Sequence, residues 1–323
     1  MQDVISPSYV LPAHKIRTSE NITPASIKRA MTEWNGMLPR YTTLYRYYRG
    51  RHPVYTDMDK SKPVVANLCH YITETIRGYM CGYAPTYAMA EGDTMAQEIL
   101  DLYDKQVKSR TEAELIKAIS IFGHAYELVY LAEDGTPKSA VFTPKEAFVA
   151  YAGDVESDSV FGGVVYTEKD DRGVMHWKLY LYDRREVSVW ESTSYMGPWK
   201  RTTAPKAHGF NRVPLIEYRN NDERMGDFET IIPLQDAYND LLTDRIDDKN
   251  AFVEAILVIY GHILGKTPDE VEAGLDRIKK LRTLQFTDES GKAEYLSHTM
   301  DETSVQILQD QIKSDIHKLA MVP

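Results

Sequence analysis

At 323 residues and 43% hydrophobic content, the chain is too long for one small core, so two or more structural units are expected. A net charge of −10, from 48 acids and 38 bases, excludes tight nucleic-acid binding over a broad surface and leaves room only for a local basic patch. Two cysteines, Cys69 and Cys81, far apart on one predicted helix, exclude a disulfide scaffold and fit a reducing, cytoplasmic setting, and no signal peptide or apolar run near ~20 residues is present.

Residues 1–20 contain Pro7 and Pro12, show no period and read as an arm. Thr23-Pro24 is an N-cap followed by a first-turn proline, predicting a helix from Pro24 to Asn35 closed by Gly36. Further helices are predicted over Leu38–Arg49, Val64–Met80, Met95–Val107 and Glu112–Phe122. The period then changes. Ala125–Leu131, Ser139–Phe142, Ala147–Tyr151, Phe161–Glu168, His176–Tyr182, Glu186–Glu191 and Leu215–Tyr218 read as strands, with turns at Asp134-Gly135 and Arg172-Gly173. The fold class is therefore α+β: helices first, then a mostly antiparallel sheet.

A long helix follows, about Asp227 to Ala255, with an apolar stripe of Ile231, Leu234, Tyr238, Leu241 and Leu242. Pro233 either kinks it or sets its true first turn. Ile256–Ile259 favours a strand. A compact insert comes next: a helix near Pro268–Leu281, a strand Thr283–Phe286, a turn at Ser290-Gly291 and a strand Ala293–His298. The last helix, Asp301 to Ala320, carries Val305, Leu308, Ile312, Ile316 and Leu319 on one face. Two long helices thus bracket a small α/β module. Each has one stripe for packing, which suits a helical pair packed in a ring against copies of itself.

On the first long helix Asp236, Asp240, Asp244 and Asp248 recur every fourth residue. Like charges at that spacing oppose helix formation by roughly 0.2–0.5 kcal/mol per pair. Residues 219–249 hold nine acids and four bases, half the net charge of the chain. The stripe is solvated, paired with a partner, or used for its repulsion. A divalent-metal role needs oxygens converging on one point, which a single helix rarely gives.

Other motifs reduce to structural readings. Gly265-Lys266-Thr267 lacks the upstream glycine of a phosphate-binding loop, and Tyr260 stands in its place, so Thr267 reads as a helix cap. The nine histidines show no metal spacing and no Gly-x-Ser-x-Gly occurs. No cofactor is implied. The segment from Pro39 to His52 interleaves arginines with tyrosines. It reads as a helix burying Tyr41, Leu44, Tyr45 and Tyr48 while its arginines meet acids, with nucleic-acid stacking as the alternative. Lys279, Lys280 and Arg282 in the insert either touch DNA or a docking partner, or form a solvated helix end.

The order of parts resembles the portal (head–tail connector) proteins of tailed bacteriophages, particularly the siphophage-type subgroup. The residues that carry the likeness are Tyr47–Pro53, Asn67 through Gly82–Tyr87, Phe122–Glu127 and Arg212–Pro214. The strongest stretch runs from Asn220-Asn221 through Gly226–Glu229 to Asp236–Asn239. The resemblance implies an outer wing over residues 21–218 after the arm, a first stem helix and entry strand over 219–261, a clip over 262–298 and a second stem helix over 299–323. It implies a ring, typically of twelve subunits, at one capsid vertex of the virion, assembled in the host cytoplasm. Double-stranded DNA passes through that ring, and terminase, head-completion connectors, major capsid and scaffolding proteins are the implied partners, with no membrane. Family members continue past a Val-Pro like Val322-Pro323 into a channel loop, a further helix and a crown, so the expected fold here lacks the crown. On this reading Asp236, Asp240, Asp244 and Asp248 face the channel and repel DNA, and the protein is not an enzyme. Arg245 and Lys249 pair between subunits, and Lys279, Lys280 and Arg282 meet terminase or DNA at the clip. The alternatives are a ring-forming adaptor that conducts no DNA, and an α+β enzyme with a helical oligomerisation arm.

Overall fold

The computed structural model describes residues 13–18, 21–52, 64–83, 101, 108–253, 256–260, 267–281, 292–296 and 302–322. Most of the expected Met95–Val107 helix, the Thr283–Phe286 strand, the Ser290-Gly291 turn and the first twelve residues of the arm lie outside this set.

By their contacts the residues form two compact units. One comprises Met1–Pro53, Val65–Asp236 and Ser314–Pro323; the other comprises Val54–Val64 and Ala237–Lys313. The first opens with a short strand β1 (Ile16–Thr18) and a helix α1 (Pro24–Tyr48). Sequence pattern predicts two helices here, broken at Gly36; the structure has one. A mid-helix glycine costs about 1 kcal/mol against alanine. Burying Met31, Trp34, Met37 and Tyr41 across the break outweighs it, at roughly 1.5–3 kcal/mol for each large apolar side chain. Pro39 sits on the exposed side of α1, where water can reach the carbonyl that loses its intrahelical partner. Thr23 and Ser26 close the N-terminus as a capping box: Ser26 N–H donates to Thr23 Oγ1 at 3.1 Å, and Thr23 N–H donates to Ser26 Oγ at 2.8 Å.

Helices α2 (Leu68–Cys81) and α3 (Lys108–Phe122) follow, and then the strands. A three-stranded sheet has the order β10-β2-β3, from Leu215–Arg219, His124–Leu131 and Pro137–Phe142. A seven-stranded sheet runs β1-β4-β5-β6-β7-β8 with β9 also on β7. Its long members are β4 (Ala147–Ala152), β5 (Ser159–Lys169), β6 (Met175–Tyr182) and β7 (Glu186–Ser192); β8 and β9 are Lys200–Arg201 and Lys206–Ala207. All pairings are antiparallel except β1 on β4. The two sheets share a core of Tyr126, Leu128, Ala147, Val149, Val164, Val213 and Leu215. Trp34 of α1 seals the β4 side, donating from Nε1 to the Pro144 carbonyl at 2.9 Å and lying 5.9 Å from the Phe148 ring.

A 3-10 turn (Glu229–Ile231) leads into α4 (Ile232–Val253), and the boundary between the units falls within this helix. Pro233 occupies the first turn, where its missing N–H has no intrahelical partner to lose. It sets the start of the helix. At 22 residues α4 is about 33 Å long.

In the second unit β11 (Ile256–Tyr260) pairs antiparallel with β12 (Lys292–Leu296). Helix α5 (Pro268–Leu281) is capped by Thr267, whose Oγ1 accepts from Glu270 N–H at 3.4 Å while Glu270 Oε2 accepts from Thr267 N–H at 3.2 Å. That capping box makes Thr267 a helix start. Helix α6 (Glu302–Leu319) closes the described chain.

Candidate functional site

The face accounting of α4 differs from the expected apolar stripe. Ile231 and Tyr238 are buried, but Leu234, Leu241 and Leu242 are half-buried. The face turned fully inward is polar: Gln235, Asn239 and Thr243, at 0%, 1% and 6% exposure. Two of these side chains, Gln235 and Thr243, hold backbone. Gln235 accepts from Leu68 N–H at 2.9 Å and donates to the Ala66 carbonyl at 2.8 Å. Thr243 accepts from Val64 N–H at 3.1 Å and donates back to the Asn239 carbonyl at 2.9 Å. The segment before α2 thus has its hydrogen bonds completed by a helix some 170 positions later, as buried backbone requires. The only sequence signal for these three is a polar repeat at helical spacing.

The four aspartates do not share one environment. Asp240, Asp244 and Asp248 are exposed. Successive members drift by about 40°, so the three cover about 80° of the helix surface. Asp236 is half-buried and its Oδ2 accepts a 2.8 Å hydrogen bond from the Tyr47 hydroxyl of α1. Arg245 is half-buried and donates to Gln309 of α6, whose amide also donates to the Tyr238 hydroxyl at 3.2 Å. Lys249 is exposed. Lys279 and Lys280 lie in the last turn of α5; Arg282 falls outside the described residues.

The segment Asn220–Glu229, which delivers the chain into α4, is fixed by an ionic lock. Its Arg40–Glu229 pair is of the arginine–acid kind expected for the segment from Pro39 to His52, while its Glu217–Arg224–His124 part was not expected. Arg40 of α1 is 4% exposed. Its Nε donates to Glu229 at 2.8 Å, its Nη2 to the Arg224 carbonyl at 2.9 Å, and its Nη1 to the Phe122 carbonyl at 3.3 Å. Glu217 of β10 accepts four bonds: from His124 Nδ1 at 2.9 Å, Arg224 Nε at 2.7 Å, Arg224 Nη2 at 2.9 Å and the Tyr151 hydroxyl at 2.6 Å. With its proton on Nδ1, His124 accepts from the Tyr41 hydroxyl at Nε2, 2.9 Å away. Burial pushes the Glu217 carboxyl up, but the hydrogen bonds from His124 and Arg224 and the Arg224 charge outweigh it and hold it well below the usual range. Burial lowers His124 against the pull of Glu217, and raises Tyr41 and Tyr151.

Gly123 makes the close approach possible. It has φ +83°, and a Cβ there would lie 2.0 Å from the Arg224 carbonyl oxygen. Around it Asn220 N–H donates to the Gly123 carbonyl and Asp227 N–H to the Ser120 carbonyl, both at 2.9 Å. Within the segment, the Asn220 amide bonds Asp227 at 2.7 Å and Asn221 Oδ1 accepts from Met225 N–H at 2.7 Å. Two stretches singled out in the sequence, Phe122–Glu127 and Asn220–Glu229, therefore meet in space.

The connectivity Tyr41–His124–Glu217 resembles a proton relay. Its side chains are closed to solvent, with His124 and Glu217 only 2% and 5% exposed. It ties α1, β2 and β10 together. A groove of about 1300 Å³ lies elsewhere, lined by Tyr130, Phe142, Tyr166, Tyr180, Tyr182 and Phe210. Among the described residues no group of His, Cys, Asp and Glu could hold a metal ion, and no helix is long and apolar enough to cross a membrane.

A sequence model of the family described as "Phage portal protein, SPP1 Gp6-like" matches residues 27–323. The portal protein of Bacillus phage SPP1 is 25% identical over 208 residues, covering 61% of this chain and 41% of that protein. The chain thus spans about two-fifths of the length of the curated relative it matches. Among solved structures, a chain from the neck of an empty GTA particle, computed with C6 symmetry, superposes with a TM-score of 0.51 at 12% identity. That match covers 86% of this chain and 68% of that chain, and it shows a shared fold.

Proposed function

The chain belongs to the SPP1 Gp6-like family of phage portal proteins, and on that premise we propose that it is one subunit of a ring at a single capsid vertex, through which double-stranded DNA passes during packaging and ejection. One observation carries the conduit reading: Asp240, Asp244 and Asp248 leave α4 on its exposed side. Ring symmetry multiplies these three carboxylates into a negative wall. Two unit charges 8 Å apart in water repel by about 0.5 kcal/mol, and physiological salt screens them beyond about 8 Å. Such a wall prevents adhesion of nearby phosphates without blocking passage. A basic lining would instead release counterions and bind the duplex.

Self-assembly is supported by apolar side chains left open in the second unit: Ile246, Ile307 and Leu308 are 41%, 66% and 52% exposed. A place in the virion is supported by the similar fold of the GTA neck chain. Repulsion between neighbouring acidic faces needs offsetting cations, and Arg245 and Lys249 on the same helix supply them. Terminase docking is assigned to Lys279, Lys280 and Arg282, with connectors following at the same end and capsid and scaffolding proteins around the ring. No catalytic step is assigned to the chain.

Particle imaging of the full-length protein tests the reading. A ring with a central hole is expected; assemblies without a hole would refute the conduit and leave the adaptor alternative. Charge reversal at Lys279 and Lys280 in a DNA-packaging assay tests the docking surface, and unchanged packaging removes those residues from it.

A further inference from the structure

Two surfaces of the first unit carry opposite charge. The first is a platform on the C-terminal part of α1. Tyr45 and Tyr48 stack there, ring centroids 6.1 Å apart. Lys145 Nζ lies 5.0 Å from the Tyr45 ring centre, the Arg49 guanidinium carbon 5.9 Å from the same ring, and Lys117 Nζ 4.9 Å from the Tyr48 ring. The nearby carboxylates are already engaged. Glu74 accepts from the Tyr48 hydroxyl at 2.8 Å and pairs with Arg77 at 2.9 Å; Glu146 accepts from Thr143 Oγ1 at 2.7 Å. Among the described residues, no carboxylate forms an ion pair with Arg49, Lys117 or Lys145.

The second surface is the tip of the β4–β5 hairpin, Gly153 to Asp158. Asp154, Glu156 and Asp158 are exposed, and Val155 between them is fully exposed at 102%. The tip is an ordered turn: Asp154 Oδ1 accepts from Ser157 N–H at 2.8 Å, and Ala152 N–H donates to the Asp158 carbonyl at 2.8 Å. No Lys or Arg occurs between Lys145 and Lys169. A lone exposed valine needs no explanation. Fixed among three carboxylates, it offers an apolar contact inside a negative rim.

The two surfaces lie at opposite ends of one strand. Lys145 precedes β4 by two positions and the tip follows it directly. Six strand residues, about 20 Å, separate them, so they do not meet within one chain. A ring of more than two subunits needs two different, complementary surfaces on every subunit, joined head to tail. Base stacking does not fit the platform, because its cations lie over the rings and Tyr48 is only 5% exposed.

We infer that the β4–β5 tip of one copy docks on the Tyr45–Tyr48 platform of the next, with Asp154, Glu156 and Asp158 facing Arg49, Lys117 and Lys145. This contact rests on the ring reading above and supplies it with a heterologous interface.

The test is a charge swap in the full-length protein, with assembly followed by light scattering and particle imaging at low and high salt. Lys117→Glu with Lys145→Glu weakens ring assembly at least about tenfold, as does Asp154→Lys with Asp158→Lys. Combining both pairs restores rings. Circular dichroism checks that each variant folds, and the milder Lys145→Gln and Asp154→Asn shift assembly in the same direction. Wild-type rings untouched by either reversal, or a combined variant no better than its parents, overturn this contact alone. A wild-type protein that never forms rings overturns the ring reading and this contact with it. Reversals that abolish DNA retention while rings persist assign the platform to nucleic acid and overturn the inference.

Discussion

The Tyr47 hydroxyl donates a 2.8 Å hydrogen bond to Asp236 Oδ2. Asp236 is engaged by the helix that opens the first unit, while Asp240, Asp244 and Asp248 turn outward. Burial, and then Asp236 itself, push the Tyr47 phenol upward.

Removing that donor tests whether the bond holds α4 in place. Tyr47→Phe keeps the ring and leaves the carboxylate without the hydroxyl, costing about 1.5–3 kcal/mol. Denaturant unfolding measures it. A loss under about 0.5 kcal/mol, within the range of unremarkable surface changes, would remove the bond from the account.

Arg40 is a larger commitment. Arg40→Met leaves Glu229 and the carbonyls of Phe122 and Arg224 without their shared donor. Breaking a buried ion pair in this way costs about 3–5 kcal/mol. The accompanying drop in Tm is read by calorimetry, and the double variant Arg40→Met with Glu229→Gln recovers part of it. A double variant as unstable as the sum of both singles would show that the two residues are not coupled.

Gly123 and Gly135 have nearly the same backbone, φ +83° and +80°. A Cβ at Gly135 meets nothing within 4 Å, so Gly135→Ala costs about 1 kcal/mol for its conformation. A Cβ at Gly123 collides with the Arg224 carbonyl, so Gly123→Ala is expected to prevent accumulation of folded protein. Equal melting temperatures for the two variants would contradict the close approach.

The lock also sets a pH dependence. Burial holds His124 below its unfolded value of about 6.5, so its contribution is present above that pH and is lost as pH falls through the folded value. For Glu217, whose folded value is also lowered, the contribution is present above an unfolded value of about 4.3 and is lost as pH falls through the folded value. Both act in the same direction: stability declines on acidification, beginning just below about pH 6.5. His124→Gln flattens the upper part of that decline. A wild-type stability that rises between neutral and mildly acid pH would reverse the assignment.

Much of this was legible in the residues, for identifiable reasons. The strands from His124 to Ser192 announced themselves by β-branched and aromatic content, and Thr267 by its position before Pro268. Gly36 misled, because local propensity cannot see Trp34 and Tyr41 being buried on either side of it. The inward role of Gln235 and Thr243 was hidden because their partners are backbone groups far away in the chain. The spacing of the aspartates could be read directly. That Asp236 is half-buried against a tyrosine 189 positions earlier could not.

The most direct test of the central claim is an electron-microscopy reconstruction of the assembled full-length ring holding DNA. The measurement is where the carboxylates of Asp240, Asp244 and Asp248 lie relative to the ring axis. The account expects these three to face the lumen beside the duplex, with Asp236 turned away toward Tyr47. Finding the three on the outer surface, or buried between subunits, would contradict it.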